Sequence, residues 1–479
     1  MELPNSKMVK HDGNNRRDRI SELPDDVLMG ILSFLPPEEA VLKTSFLSHR
    51  WKQLWESLPV SGFNFRVPMP VWCRGGHVKN LKDLRDGKYM TVEDMRRECS
   101  KFVEWVNNVM ISHQGSTIDE LRVRFYLDKD SQGYIDKWIE IAMRKQVKKL
   151  ELDFPSLLHR PSNAHYPFPQ ECFPGIEFLT SLCLVKVGVS DEATEFVLSN
   201  CPMLETLHLK NSPLLIHPKV SGSSLRLKHL NISHSECIQT IEISAPNLVS
   251  FEYHKLRKVP FHIWYAPKLT ELDYSNWLDF NIAYLVSQLY NYLPQLVTLR
   301  LSLFLMDLPR FPKFTSLRNL TCITASIGNR LLLLKSLIEA SPFLHKFKLL
   351  IKDHKEFKSG IEEEAQPNKY LKEVEIVGFL GQSVEVEFVT YLLKIAIKLE
   401  KIVIHGKLER MTQNLAHQLM KNRPGAELVQ LNLISVNMSI VANRGGRGFE
   451  CGEAYYPPIY GLRKDYGIVP NKSARRKLD

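Results

Sequence analysis

Cysteine is scarce in this sequence, and the pattern of its cysteines does not suit a metal or disulfide scaffold. Eight cysteines are scattered over 479 residues without a C-x-x-C pair. Such usage is typical of reduced thiols in a cytosolic or nuclear protein. Apolar runs of about 18 residues, the length that crosses a membrane, are also missing, and the polar start of the chain is unlike a signal peptide. We therefore expect no membrane association and no secretion.

Catalytic motifs are missing as well. The sequence contains no H-E-x-x-H, no G-x-S-x-G and no G-x-x-x-x-G-K-S/T pattern. The glycines Gly446, Gly448 and Gly452 have the wrong spacing for a dinucleotide-binding loop. His229 and His234 form a pair without further ligands at metal-binding spacing. The sequence thus predicts a protein that is not an enzyme, with no cofactor and no metal.

The positive charge of the chain does not form one continuous block. The net charge is +10, but lysines and arginines are spread along the chain beside acids, and the clearest basic excess lies at the two ends. These ends are either solvated tails or nuclear import signals. A single Arg-Gly-Gly element near Arg444 is a weak indication of RNA binding. We expect no nucleic-acid partner, because a nucleic-acid groove would carry charge of one sign.

The stretch from Asp18 to Pro59 predicts three short amphipathic helices. Pro24 occupies a first helical position and is followed by two aspartates, which favour a helix start. Pro36 and Pro37 end this helix. A second helix is predicted over residues 38–44, and Ser48 can cap a third.

Forty residues without cysteine rarely bury enough apolar surface to fold alone. We therefore expect the face bearing Leu28, Ile31, Trp51 and Trp55 to dock on another protein. The alternative is an ordinary helical subdomain packed on the rest of this chain.

The order LPDDVLMGILSFLP, a short linker, then V-x-x-x-S-x-LS-x-RW-x-x-LW resembles the F-box motif. The resemblance implies binding to a Skp-type adaptor, and through it to a cullin scaffold. The family's adaptor-contacting positions correspond here to Leu23, Pro24, Leu28, Ile31, Leu32, Val41, Ser45, Leu47, Ser48, Trp51, Leu54 and Trp55.

From Ile118 onward, a unit of the form apolar-x-x-apolar-x-apolar recurs twelve times at steps of 21–32 residues. Steps of about 20–29 residues with this local pattern are typical of leucine-rich repeats. Each unit predicts a short strand whose apolar residues point into a shared core, with helices or loops between the strands. Ala-Pro, Ser-Pro and Asn-Cys-Pro elements end each return segment. An unrelated α/β domain with leucine-rich strands is the alternative.

The residues between the repeat leucines point away from the core and line the concave face. This face is polar and of mixed charge, which suits a folded protein or peptide target. We expect target contacts from His208, His229, Glu252, His254, Glu271, Asp273, Arg300, Lys346 and Lys348. Three of these, Arg300, Lys346 and Lys348, are the cations that could instead converge on a small ligand in the hollow of the solenoid.

The segment over residues 369–433 resembles the FBD domain, which accompanies F-boxes in plant proteins. The predicted fold is α/β: a three-helix F-box, then a curved leucine-rich-repeat solenoid with strands on the concave face, ending in an FBD-like cap. The predicted limits are a disordered start (1–17), the F-box (18–60), a connector (61–115), the solenoid (116–365), the FBD-like domain (366–435) and a flexible basic tail (436–479).

The order F-box, leucine-rich repeats, FBD implies the substrate-recognition subunit of a Skp-cullin-F-box ubiquitin ligase. In that role the chain recruits an unknown target protein and performs no bond chemistry itself. A non-degradative F-box scaffold, a small-molecule-gated receptor and an RNA-binding protein that uses the basic tail remain as alternatives. Location in the cytoplasm or the nucleus, or both, fits each of these functions.

Overall fold

The fold is described from a computed structural model. It describes residues 20, 23–36, 49–56, 60–66, 92–155, 164–170, 174–255, 259–276, 282–303, 311–324, 331–352, 366–406 and 430–435. All of them belong to one compact unit, Met1–Val436. The predicted second helix over residues 38–44, the disordered start and the basic tail lie outside the described residues.

Two helices of the predicted F-box stand at the N-terminal end. The first, α1, spans Asp25–Ser33 and follows Pro24, as the sequence predicts. The second described helix, α2, spans His49–Glu56 and carries both tryptophans of this region. A long helix, α3, follows over Val92–Ser112, and α4 spans Gln132–Arg144. Within the described ranges, no helix is both long and apolar enough to cross a bilayer.

Fourteen parallel strands form one main sheet in the part of the chain that the structure describes. In sheet order they are β1 (Gly62–Arg66), β2 (Glu120–Arg124), β3 (Lys149–Asp153), β4 (Ser181–Val185), β5 (Thr206–Lys210), β7 (His229–Ser233), β9 (Ser250–Lys255), β11 (Glu271–Asn276), β12 (Thr298–Leu303), β13 (Asn319–Thr324), β14 (Lys346–Ile351), β15 (Glu373–Phe379), β16 (Lys401–Gly406) and β17 (Gln430–Ser435). All twelve predicted repeat units coincide with strands of this sheet, which confirms the predicted solenoid.

The register of the sheet carries each repeat position directly onto its equivalent in the next repeat. Leu272 of β11, for example, pairs with Phe251 of β9 on one side and with Leu299 of β12 on the other. All three side chains are at most 2% exposed. Stacking equivalent residues in this way makes one continuous apolar core, in which each strand covers its neighbour.

The return segments on the far side of the core differ with repeat length. Steps of 25–29 residues accommodate helices: α4, then α5 (Asp191–Asn200), α6 (Ile282–Leu289), α7 (Leu331–Glu339) and α8 (Ser383–Ile395). Three of the steps of 21–23 residues hold instead the short strands β6 (Lys219–Ser221), β8 (Ile241–Ser244) and β10 (Phe261–Tyr265), which form a second, parallel sheet. The sequence predicted helices or loops between the main-sheet strands and did not predict this second sheet.

The turns that lead into the main-sheet strands are built on small buried residues. Ala245, Ala266 and Ser341 are fully buried, and each precedes a proline. Each carbonyl oxygen accepts a hydrogen bond from the N–H three residues on, at 3.2, 3.1 and 3.2 Å respectively. The prolines keep the preceding residues out of helical conformation, so the return segment ends and the next strand begins at a fixed place.

The sheet runs without a break through the predicted module limits. Strand β1 lies in the predicted connector, and β15 to β17 lie in the predicted FBD-like domain. The sequence analysis missed β1, because its Gly-Phe-Asn-Phe-Arg sequence lacks the leucines of the other units. The exact limits of the F-box, solenoid and FBD-like regions therefore stay predictions.

Candidate functional site

Arg50, in the first turn of α2, links this helix to the start of α1. The Arg50 guanidinium donates to a carboxylate oxygen of Asp25, with Nε at 2.8 Å. It also donates to the carbonyl oxygen of Leu23, at 2.7 Å. One side chain thus holds the start of α1 against α2. Leu23 is half-buried and Pro24 is exposed.

The apolar core of this helix pair is covered by the chain itself. Leu28, Leu32, Trp51, Leu54 and Trp55 are at most 8% exposed. Trp55 packs edge-on against His113, just after α3, with ring centroids 6.1 Å apart. The expectation that Leu28, Trp51 and Trp55 need an outside partner to be buried is wrong, because the base of the solenoid supplies that cover. Their contact with an adaptor stays a prediction.

A different face of α1 remains open. Val27, Ile31 and Phe34 are 42%, 41% and 89% exposed. Their spacing of four and then three residues places them in one line along the helix. We call these three residues the apolar stripe. Phe34 was not among the predicted contact residues, although its spacing from Ile31 is visible in the sequence.

Four of the predicted adaptor-contacting residues cannot be placed. Val41, Ser45, Leu47 and Ser48 lie outside the described residues.

The predicted target-contacting residues all lie on one face of the main sheet. This polar face carries the side chains that alternate with the buried leucines, and its central row runs through one residue of each strand. From β2 to β15 that row is Arg122, Glu151, Cys183, His208, Asn231, Glu252, Asp273, Arg300, Thr321, Lys348 and Glu375. The outer row includes His229, Glu271 and Lys346, and all three are exposed.

The three predicted cations of the hollow do not form one cluster of positive charge. Lys346 and Lys348 each lie 3.0 Å from a carboxylate of the next strand, Glu373 and Glu375. Arg300 lies 3.5 Å from Asp273 on the preceding strand. Because each cation has an acidic neighbour, the convergent basic pocket that a small anionic ligand would need is not formed by these residues.

The centre of the polar face holds a histidine between two acids. His254 Nε2 lies 2.9 Å from Asp273 Oδ1, and Nδ1 lies 3.4 Å from Glu252 Oε1. The histidine side chain is 1% exposed, whereas the two acids are 29% and 24% exposed. The sequence analysis paired His229 with His234 instead. Glu252 lies two residues from His254 on β9, and the parallel pairing of β9 with β11 brings Asp273 to the other ring nitrogen.

His234 lies beside this group without joining it. Its ring centroid is 5.9 Å from that of His254. Burial, together with the neighbouring charges of His254 and Lys210, lowers the pKa of His234 to about 4. His234 is therefore neutral at physiological pH.

Comparison with known proteins agrees with this architecture. A profile of the leucine-rich-repeat domain described as At1g61320/AtMIF1 matches residues 172–427, more than half of the chain. The profile of the F-box domain matches residues 20–61. The chain belongs to this leucine-rich-repeat family.

Curated relatives of this family member come from Arabidopsis thaliana. F-box/LRR-repeat protein 25 is 27% identical over 264 residues, covering 51% of this chain and 88% of that protein. F-box/FBD/LRR-repeat protein At5g56420 is 25% identical over 249 residues, covering 50% of this chain and 49% of that protein. F-box/LRR-repeat protein At3g03360 is 30% identical over 247 residues, covering 47% of this chain and 43% of that protein. The chain thus spans about half the length, or less, of two of these three relatives.

The names of these relatives contain all three modules that the sequence indicates, F-box, leucine-rich repeat and FBD. They confirm the resemblance to plant F-box/leucine-rich-repeat/FBD proteins.

Proposed function

We propose that this protein is the substrate-recognition subunit of a Skp-cullin-F-box ubiquitin ligase. In this function the F-box end binds a Skp-type adaptor, and the polar face of the sheet, with the FBD-like end, holds a target protein. The chain contributes proximity instead of bond chemistry: a target held beside the conjugating enzyme reacts at a raised effective concentration. The protein acts in the cytoplasm, the nucleus or both.

The observation that carries the proposal is the apolar stripe within the matched F-box segment. An 89% exposed phenylalanine in line with two half-exposed aliphatic residues is costly to leave in water. The buried residues of α1 and α2 pack into the core of the fold, so the exposed stripe is held in a fixed position. A hydrophobic adaptor surface would cover the stripe without disturbing the packing beneath it.

The polar face supplies the second half of the proposal. Its exposed outer row carries charges of both signs, with Glu271 on β11, Lys346 on β14 and Glu373 on β15. Mixed charges favour one partner orientation over others and give specificity more than affinity. We propose His208, His229, Glu252, Glu271, Asp273, Arg300, Lys346 and Lys348 as target contacts, with His254 beneath them.

The test replaces the stripe without touching the core. Ile31→Glu combined with Phe34→Glu places two charges where apolar contact is proposed, and we expect capture of a Skp-type adaptor and a cullin to fall at least tenfold. Self-ubiquitination in a reconstituted ligase should fall with it, which removes the need to know the target. Ile397→Glu, on a residue 55% exposed after α8, is the matched control and should leave both measurements unchanged.

Two outcomes would contradict this function in different ways. Undiminished adaptor binding by the doubly substituted chain, with an unchanged melting temperature, would refute the stripe as the docking surface. Adaptor binding by the native chain without a cullin or any self-ubiquitination would instead indicate the non-degradative scaffold. Trp51→Ala is a poor substitute for this test, because Trp51 is buried and its loss would also destabilise the fold.

A further inference from the structure

Four side chains on two adjacent strands form a square on the polar face. In the parallel pairing of β9 with β11, Glu252 lies opposite Asp273 and His254 lies opposite Ser275. Residues two apart on a strand share a face, and neighbouring strands lie about 4.8 Å apart. One ligand atom from each of Glu252, His254 and Asp273 lies within 4.8 Å of the other two. Three potential metal ligands therefore converge from backbone positions that the sheet holds rigidly.

The fourth corner of the square is a buried hydroxyl. Ser275 is 0% exposed, and its Oγ has no hydrogen-bond partner among the described residues. A buried hydroxyl without a partner costs about 1–3 kcal/mol. A serine at this place is explained if its oxygen has an acceptor or an ion to contact at the centre of the square.

A second polar group without a hydrogen-bond partner among the described residues lies on β7, which borders β9 on the side away from β11. Asn231 of β7 lies opposite Glu252 and is 1% exposed. Its Oδ1 accepts a hydrogen bond from Ser233 at 2.6 Å, while its Nδ2 has no partner among the described residues. An amide donor at this position can orient the Glu252 carboxylate from outside, as the groups around metal ligands commonly do.

We propose that Glu252, His254 and Asp273 bind a divalent transition-metal ion of the zinc class, with Ser275 Oγ beside its fourth position. An imidazole nitrogen with two carboxylates suits zinc and its neighbours better than magnesium or calcium, which prefer oxygen alone. Two carboxylates balance the charge of a divalent ion. Zinc–ligand bonds of about 2.0–2.2 Å place ligand atoms about 3.3 Å apart, so the carboxylates rotate inward when the ion binds.

Arg300 is placed to support this rotation. Its Nε lies 3.5 Å from Asp273 Oδ2, the oxygen that does not face His254. The guanidinium thus holds Oδ2 of Asp273 away from the three ligand atoms and leaves Oδ1 facing the histidine. In the absence of an ion, the same geometry is that of a histidine ring held between two carboxyl groups, and the experiment separates the two arrangements.

The test uses the purified full chain, dialysed against a chelator and titrated with Zn²⁺ by calorimetry and with Co²⁺ by visible absorption. We expect one ion per chain, an affinity at least tenfold lower in Asp273→Asn and in His254→Gln, and a smaller loss in Ser275→Ala. His217→Gln, at an exposed histidine just before β6, should bind Zn²⁺ as the native chain does. Asp273→Asn keeps the shape of the side chain, and circular dichroism verifies that each variant is folded.

Three results would overturn the proposal. The first is a native chain that takes up no Zn²⁺ at one equivalent, which leaves the arrangement of a histidine between two carboxyl groups without an ion. The second is binding that Asp273→Asn and His254→Gln leave unchanged. The third is a Co²⁺ complex with a thiolate charge-transfer band, which would assign the ion to cysteines. None of these results bears on the adaptor function, because the square lies on the polar face and the stripe lies on α1.

Discussion

At the scale of single residues, the polar face is a set of charges that meet their partners one strand away. Arg124 lies 2.9 Å from Asp153, and Lys348 lies 3.0 Å from Glu375. These side chains are partly exposed, and such pairs contribute only about 0–1 kcal/mol each. Their effect is on specificity, because they leave a face that is nearly balanced in charge and that a partner must match residue by residue.

Lys352, directly after β14, is a half-buried lysine with a lowered pKa. Burial, and then the neighbouring positive charge of Arg300, lower the pKa of Lys352 to about 8. The unfolded chain, with an ordinary value of 10.5, holds the proton more strongly. Between these two values the unfolded state binds more protons, so this lysine makes stability rise as pH increases from about 8 towards 10.5.

We therefore expect Lys352→Met to raise the melting temperature at pH 7 and to have a smaller effect at pH 10. The physical reason is that methionine removes the cost of burying a charge. At pH 10 the folded native chain already has a neutral Lys352, so less of that cost remains to be removed. Melting temperatures of both chains at the two pH values measure this. Lys398→Met, on an exposed lysine, is the control. A Lys352→Met effect that is equal at both pH values would refute the assignment.

At the scale of elements, the length of each repeat decides what lies behind the sheet. Repeats of 21–23 residues leave too few residues to form a helix after the strand and two turns, and three of them hold β6, β8 and β10. Repeats of 27–28 residues hold α6, α7 and α8. A helical turn takes about 3.6 residues, so the additional four to seven residues provide between one and two turns of helix.

One strand departs from the regular pattern at a glycine. The pairing of β15 with β16 shifts between Val377 and Phe379. Gly378, between them, has a φ of +84°, and a Cβ at this position would collide with the carbonyl oxygen of Ile351 on β14. Both the left-handed backbone and the close approach of the neighbouring strand require glycine here.

Gly378→Ala is expected to lower the free energy of unfolding by about 1–3 kcal/mol, because strained backbone of this kind costs that amount. Gly133→Ala, in α4 with nothing near its Cβ position, should instead raise it by about 0.4–1 kcal/mol by restricting the unfolded chain. Urea unfolding monitored by circular dichroism compares the two. Equal effects of the two substitutions would show that the bulge tolerates a side chain.

At the scale of the whole molecule, the F-box helices are part of the fold and not a separate module. Trp55 packs against His113, and the Gln114 N–H donates to the Glu56 carbonyl oxygen at 3.0 Å. The same apolar core continues from Leu28 through the sheet to Ile404. An adaptor bound to the stripe would therefore be fixed in position relative to the strands of the sheet, a requirement for delivering a target.

Deletion of residues 1–59 should lower the free energy of unfolding of the remaining chain by at least about 3–5 kcal/mol, the usual cost of truncating one buried tryptophan. The chain without these residues loses the Trp55 ring that packs against His113 and the Glu56 carbonyl oxygen that accepts from Gln114. Thermal unfolding and binding of a hydrophobic dye measure the change. An unchanged melting temperature would mean that the F-box helices fold separately from the solenoid.

The sequence by itself determined the repeat, because every inward position must be apolar to build a continuous core. It determined the turns as well, because proline restricts the residue before it. The F-box segment was equally visible, since its helix ends and apolar spacing are local. The resemblance of that segment to the F-box was confirmed by the matching family model over residues 20–61. The name of one relative includes FBD, and the placement of this module after Lys369 stays a prediction.

Only the tertiary structure decided which apolar residues of α1 are left open. Leu28 and Ile31 are alike in sequence, but the base of the solenoid covers one and leaves the other 41% exposed. The repeat implies that Glu252, His254 and Asp273 share one face, but only the tertiary structure showed that the histidine is buried between the two acids. Local patterns specify which way a side chain points, and packing between distant segments decides what it meets.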